Sequence, residues 1–186
     1  MQYQPVNLNP LVTSSLTGTA YIRPVVVDWD IRHAPRHAAR VAGQVISAYH
    51  LTQLATFPGV MSLRVVSDLL SENWVITAHN PTGVTIEDVL TAIHRGLHLP
   101  LTQLEWECMS PMERGRIQSM FYARCAASRN YERTHYGGVR RMDCLLHTTM
   151  FAGLSSPMMR NNRLEVVLTL SRDFGAHIRA RSHLEA

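Results

Sequence analysis

Residues 61–106 read MSLRVVSDLLSENWVITAHNPTGVTIEDVLTAIHRGLHLPLTQLEW, and this segment carries the strongest signals for the fold class. Its first part, 61–66, alternates apolar and polar residues at its start, as a half-buried strand does. An apolar segment rich in β-formers at 74–78 follows after a short loop, and the turn sequence Asn-Pro-Thr-Gly at 80–83 ends it. Two strands this close in sequence most simply form an antiparallel pair, so we predict a hairpin ahead of the helices.

Three signatures for the start of a helix follow this hairpin. Each places a hydroxyl residue at the N-cap and an acid three positions later, where each side chain can bond the other's backbone N–H. The three pairs are Thr85 with Asp88, Thr102 with Glu105, and Ser110 with Glu113. They predict helices over 85–98, 102–108 and 111–128.

The remaining strands are predicted from segments rich in apolar and β-branched residues. We assign strands to 25–31, 139–146, 148–154 and 164–170. Residues 41–54 fit a short helix and an insertion equally well.

The order strands, helices, strands indicates the fold class. It predicts an α+β fold with a mainly antiparallel sheet of about five strands and two to three helices packed on one face. The domain would span 25–174, preceded by an extended N-terminal arm at 1–24 and followed by a C-terminal tail at 175–186.

The positive charge of the chain comes from arginine alone. The net charge is +4, and all 18 basic residues are arginine. This composition excludes Schiff-base, phosphate-binding and pyridoxal-anchoring lysines. Selection for bidentate anion contacts would explain it, and so would a GC-rich genome that favours arginine codons.

Motifs for common cofactors and nucleophiles are absent from the sequence, so we predict no cofactor. No apolar run approaches the roughly 18 to 20 residues that span a bilayer, and no secretory h-region is present, so we predict no membrane partner. Cys108, Cys125 and Cys144 are odd in number and widely spaced. They favour a reducing intracellular compartment, the cytoplasm or alternatively the nucleus.

Several short motifs together resemble one known family. They are Asn9-Pro10-Leu11, Trp29-Asp30, Ala55-Thr56-Phe57-Pro58, the run from Gly83 to Leu90, Pro100-Leu101-Thr102 and Glu105-Trp106. In this order they resemble an uncharacterised domain family of mushroom-forming (basidiomycete) fungi, over residues 9–170. The resemblance implies the fold and a fungal origin, and it implies no activity.

Two groups of residues are candidates for catalysis or metal binding. Asp28 and Asp30 flank Trp29 on one side of a predicted strand, where a carboxylate pair could do acid–base work or bind a cation. On the helix over 85–98, His94 and His98 share a stripe with Glu87 and could supply metal ligands. A solvated polar stripe explains the same spacing, and we favour it, so no metal is predicted.

Arginine residues after position 113 provide the other candidates. Arg124 falls among apolar residues of its helix, where an unpaired charge is costly, so we predict a buried ion pair with Asp30 or Asp143. The candidate binding surface consists of Arg114, Arg116, Arg129, Arg133, Arg140, Arg141, Tyr131 and Tyr136.

The leading hypothesis for function is an intracellular, non-enzymatic binding or scaffolding module that uses this arginine-rich surface for a protein partner or for self-association. An alternative is a cofactor-independent small-molecule enzyme of fungal specialised metabolism. Its pocket would lie between sheet and helices, near Asp28, Asp30, His94, His98 or Glu105. A second alternative is RNA binding through residues 114–141, where tyrosines interleave with arginines.

Overall fold

A computed structural model describes residues 5–14 and 27–172. The chain falls into two compact units: unit 1 is Met1–His94 with Thr148–Ala186, and unit 2 is Arg95–His147. A compact unit can still be part of a larger domain, so the single domain over 25–174 stays a prediction. The tail at 175–186, and the arm apart from residues 5–14, lie outside the described residues.

Unit 1 begins with short elements. They are β1 (Asn7–Leu8), a 3₁₀ helix (Pro10–Val12), α1 (Pro35–Ala38), β2 (Arg40–Val41), β3 (Gln44–Val45), α2 (Ala48–Leu51) and β4 (Thr56–Phe57). β1 pairs with β4, and β2 pairs with β3, both antiparallel. Residues 41–54 are therefore a small hairpin and a single helical turn, which answers the question that the sequence left open.

The predicted strand at 25–31 lies partly outside the described residues, and its described part forms isolated bridges. The N–H of Phe151 donates to the carbonyl of Trp29 at 2.8 Å, and the N–H of Ile31 donates to Thr149 at 3.0 Å. Asp28 bridges to Arg40 on the other side. This segment therefore joins two parts of unit 1 without forming a continuous strand.

The main sheet of unit 1 is mixed. Its five described strands are β5 (Ser62–Val66), β6 (Ile76–His79), β7 (Met150–Leu154), β8 (Met158–Arg160) and β9 (Arg163–Ser171). The order is β6-β5-β9-β7, with β8 also paired to β9. The predicted hairpin of β5 and β6 is confirmed, and so is the α+β class. The prediction of a mainly antiparallel sheet of about five strands is also confirmed, since β5–β6, β7–β9 and β8–β9 are antiparallel pairs. The central pair β5–β9 is parallel, which the long chain between these strands allows.

One face of this sheet belongs to the core. Leu63 and Val65 on β5 and Val166 and Leu168 on β9 are buried. Gly153 on β7 lies at a register shift with φ of +109°, and a Cβ there would come within 2.5 Å of the Ser14 backbone. Glycine is required at this position because it permits both the dihedral and the close approach.

Helix α3 (Ile86–His98) begins in unit 1 and ends in unit 2. It buries Val89, Leu90, Ile93 and Leu97, which recur at the spacing of an amphipathic helix. Its start is as predicted, since the carboxylate of Asp88 accepts the Thr85 N–H at 2.9 Å while the Thr85 hydroxyl accepts the Asp88 N–H at 3.2 Å.

Unit 2 continues with α4 (Gln103–Glu107), α5 (Pro111–Ala126), α6 (Tyr131–Tyr136) and a 3₁₀ helix (Arg141–Leu145). Both remaining capping boxes are present, at Thr102 with Glu105 and at Ser110 with Glu113. Among the described helices, none is long and apolar enough to cross a membrane.

The predicted strand at 139–146 is wrong. Its residues form a 3₁₀ helix that buries Met142 and Leu145, three positions apart. This spacing matches the three-residue turn of a 3₁₀ helix, not the alternation of a strand.

Candidate functional site

The two candidate carboxylates near the start of unit 1 are placed differently from each other. Trp29 between them is buried, and Asp28 is exposed. Asp30 is half-buried, and both of its oxygens accept hydrogen bonds from Nε of Arg32 at 2.9 Å. Asp30 is therefore paired within its own loop.

The residues of the predicted polar stripe on α3 make contacts other than with a metal. Glu87 forms an ion pair with Arg36. The ring of His94 lies 6.5 Å from that of Trp29. Within residues 5–14 and 27–172 there is no group of three His, Cys, Asp or Glu side chains placed to hold a metal.

Arg124 forms an ion pair with Asp143, one of its two predicted partners. The pairing predicted with Asp30 is wrong, since Asp30 pairs with Arg32. Nε and Nη2 of Arg124 each lie 2.8 Å from a carboxylate oxygen of Asp143, and Nη2 also donates to the carbonyl of Gly138. The Asp143 side chain is 3% exposed and that of Arg124 is 17% exposed. The carboxylate of Asp143 also accepts the N–H of Arg140 at 2.8 Å. This bond within the 3₁₀ helix helps to hold the carboxylate in place for Arg124.

Three arginines of the candidate surface have structural contacts inside unit 2. Arg114 donates to the carbonyls of Glu107 and Met109 at the end of α4. Arg141 lies 3.5 Å from Glu105. Burial lowers the pKa of Arg140 from its usual value, and the nearby positive charge of Arg124 adds to this effect.

The other members of the candidate surface are exposed: Arg116, Arg129, Arg133, Tyr131 and Tyr136. Two aromatic residues outside the predicted set, Tyr122 and His135, extend it. His135 stacks with Tyr131 at 5.6 Å and with Tyr122 at 6.3 Å between ring centroids. Both tyrosines are about half exposed, and Tyr136 is 95% exposed. We define the tyrosine–arginine surface by six residues: Tyr122, Tyr131, His135, Tyr136, Arg129 and Arg133.

The position of this surface depends on α6, which the sequence analysis missed. Asn130 caps the helix by accepting the N–H of Arg133 at 2.9 Å, and Gly137 ends it. Asn at the N-cap, Glu132 in the first turn and a terminal glycine are the ordinary start and stop signals of a helix. They could have predicted this element.

Two cavities lie on the face of the main sheet opposite the buried one. The larger, about 410 Å³, is lined by Arg64, Val66, Ser67, Asp68, Leu70, Ser71, Glu72, Asn73, Trp74, Arg160, Asn161 and Glu165. The smaller, about 310 Å³, is lined by Ser62, Arg64, Thr77, Asn162, Arg163 and Leu164. Neither lining includes the predicted catalytic candidates.

The charged floor of these cavities was also missed. Arg64 and Glu165 occupy the central strands, and Nη1 of Arg64 lies 3.2 Å from Oε1 of Glu165. Their neighbours in sequence are apolar. A charged residue between apolar ones in a predicted strand could have indicated this polar face of the sheet. It shows which residues face away from the core.

A comparison with protein-family models matches residues 27–163 to a family of unknown function (DUF6699). The chain belongs to this family. The DUF6699 match includes all of unit 2, with its tyrosine–arginine surface, and it ends at Arg163, so that most of β9 lies beyond it. No curated protein and no solved structure matches the chain.

Proposed function

We propose that this protein is a non-enzymatic binding module whose tyrosine–arginine surface docks an acidic segment of a partner protein. The observation that carries the proposal is the exposed stack of Tyr122, His135 and Tyr131, with Arg129 and Arg133 exposed at and near the same short helix. Tyrosine and arginine are the residues that dominate binding energy at protein interfaces. A contiguous exposed aromatic cluster on a soluble unit indicates a contact site.

The charge of this surface supports an acidic partner. Arg129 and Arg133 are exposed and form no ion pair within the described part of the chain. Glu132, which lies between them in sequence, offsets part of their charge. An acidic peptide with one aromatic or large apolar residue would complement both the guanidinium groups and the rings.

Two features favour a protein segment over RNA. The rings of Tyr122 and Tyr131 already stack on His135, so at least one face of each is occupied within the protein. RNA affinity grows with the number of phosphates neutralised, but Arg114, Arg124 and Arg141 are committed to carbonyls and carboxylates of unit 2. Too few arginines remain for a long phosphate track.

Fluorescence anisotropy with a labelled acidic peptide containing one central phenylalanine tests the proposal. Replacing Arg129 and Arg133 together by Glu should weaken binding at least about tenfold, since hot-spot residues contribute more than about 1 kcal/mol each. Tyr131→Ala should weaken binding by a similar factor. The matched control exchanges two exposed arginines of unit 1, Arg160 and Arg172, for Glu with the same change in net charge.

Equal weakening by both double variants would mean that only net charge matters, and the proposal would be wrong. A single-stranded oligouridine serves as the competing probe. If it binds more tightly than the peptide, weakens steeply with salt and depends on the same residues, the surface is an RNA site instead.

The proposal also includes the cellular compartment and the origin of the protein. The three cysteines are free: Cys108 is exposed, Cys125 is buried and Cys144 is half-buried. Burial raises the pKa of Cys144 to about 12, and the nearby charge of Asp143 adds to it, so this thiol stays protonated at neutral pH. Free thiols support a reducing compartment, the cytoplasm or the nucleus. The short motifs of the sequence support a fungal origin.

A further inference from the structure

A row of polar side chains crosses three strands of the main sheet in unit 1. Arg64 on β5 is in register with Thr77 on β6 and with Glu165 on β9. Leu63 and Val65, its neighbours in sequence, are buried on the core face. Successive residues of a strand point to opposite faces, so Arg64 points to the outer face, where the two cavities lie.

The guanidinium of Arg64 is held on one side by Glu165. Nη1 makes the ion pair, and the Glu165 side chain is 9% exposed. Nε of Arg64 is buried and has no acceptor among the described residues. Because Nε is enclosed, a ligand would meet this guanidinium group at its other nitrogens, and its positive charge would still attract an anion.

The two cavities that share Arg64 differ in the sign of their charge. The larger cavity includes the carboxylates of Asp68, Glu72 and Glu165. The smaller has no acid in its lining: its charged residues are Arg64 and Arg163, and the hydroxyls of Ser62 and Thr77 and the amide of Asn162 add donors. Guanidinium groups with hydroxyl and amide donors are complementary to oxyanions.

A tight turn fixes the far wall of the smaller cavity. Asn161 and Asn162 form the two-residue connection between β8 and β9, with φ of 49° and 59°. Two successive positive φ values define the turn type that matches the twist of paired strands, and asparagine tolerates them. The backbone of Asn162 and Arg163 is therefore fixed by this turn.

We propose that the smaller cavity binds a small molecule through a phosphate or carboxylate group, with Arg64 and Arg163 as its main contacts. Glu165 positions Arg64 and does not line this cavity. The site lies in unit 1 and is independent of the docking function proposed for unit 2. Its volume lies at the lower end of the usual range for small-molecule sites.

The test is an NMR titration of the ¹⁵N-labelled full-length protein with methyl phosphate and, separately, with acetate. Saturable shifts are expected at the Nε–H of Arg64 and Arg163 and at the backbone amides of Ser62, Thr77 and Asn162. Saturation by only one of the two probes identifies which oxyanion the site takes. Shifts with neither probe, or shifts scattered over all exposed arginines, would overturn the proposal without any variant.

Arg163→Gln and Arg160→Gln form a matched pair, because these arginines face each other across the same turn but line different cavities. Arg163→Gln should weaken binding about tenfold, the loss expected for a hydrogen bond to a charged group. Arg160→Gln should change it less than about threefold, because Arg160 lines the other cavity and an exposed charge without a direct contact contributes little. Equal effects would contradict the assignment. Arg64 is left intact so that Glu165 keeps its partner.

Discussion

The single residue Asp143 shows how unit 2 compensates a buried charge. Its carboxylate accepts two hydrogen bonds from Arg124 and one from the N–H of Arg140. Breaking a largely buried pair leaves one charge without compensation, whereas replacing both partners with apolar residues removes the problem.

We predict that Asp143→Leu destabilises the protein by about 3 kcal/mol, because Arg124 then keeps only the carbonyl of Gly138. Adding Arg124→Met to this variant should recover part of the loss. Urea unfolding of the two single variants and the double variant measures the coupling. Strictly additive losses would show that the pair contributes nothing specific.

Asp88 fixes the start of helix α3. Burial raises the pKa of its carboxyl, but hydrogen bonds from Asn80 and from the N–H and hydroxyl of Thr85 outweigh this, and the net pKa lies below the usual value. Because the pKa is lowered in the folded state, the ionised carboxylate stabilises the protein fully above the pKa of the unfolded chain, about 3.9. This stabilisation is lost as pH falls through the pKa of the folded state.

We expect Asp88→Asn to lower the free energy of unfolding by about 1 kcal/mol at pH 7, as loss of a helix cap does. The difference from the wild type should shrink as pH falls below about 4, because the Asp88 carboxyl of the unfolded chain is protonated there before that of the folded protein. Chemical unfolding at several pH values checks both statements. Asp68→Asn, in an exposed loop, is the control and should change neither the free energy of unfolding nor its dependence on pH.

For the whole molecule, the two parts of unit 1 that are distant in sequence are joined through residues 5–14. The side chain of Asn9 donates to the carbonyl of Leu54 at 3.0 Å and to Gln53 at 3.1 Å, and it is buried. The N–H of Ser14 donates to the carbonyl of Leu154 at 2.8 Å. The beginning of the chain thus contacts both the β4 region and β7.

Asn9→Ala should therefore destabilise the protein by about 1–3 kcal/mol, because it leaves buried acceptors unsatisfied. Asn7→Ala makes the same chemical change at an exposed position and should have little effect. Thermal unfolding of the two variants gives the comparison. A midpoint for Asn9→Ala equal to that of Asn7→Ala would show that this segment does not stabilise unit 1.

Elements whose causes are local could be predicted from the amino-acid sequence alone. The starts of α3, α4 and α5 follow from side chains that bond backbone groups three residues away, and the hairpin of β5 and β6 follows from alternation and a short loop. The α+β class followed from the order of these elements.

Features that depend on residues far apart in sequence became known from the folded structure. It set the parallel pairing of β5 with β9, the choice of Asp143 for Arg124, and the row formed by Thr77, Arg64 and Glu165. The physical reason is that local patterns determine which groups must be buried or paired. The partner is fixed only when the whole chain has closed its long loops and the backbone has set which side chains meet.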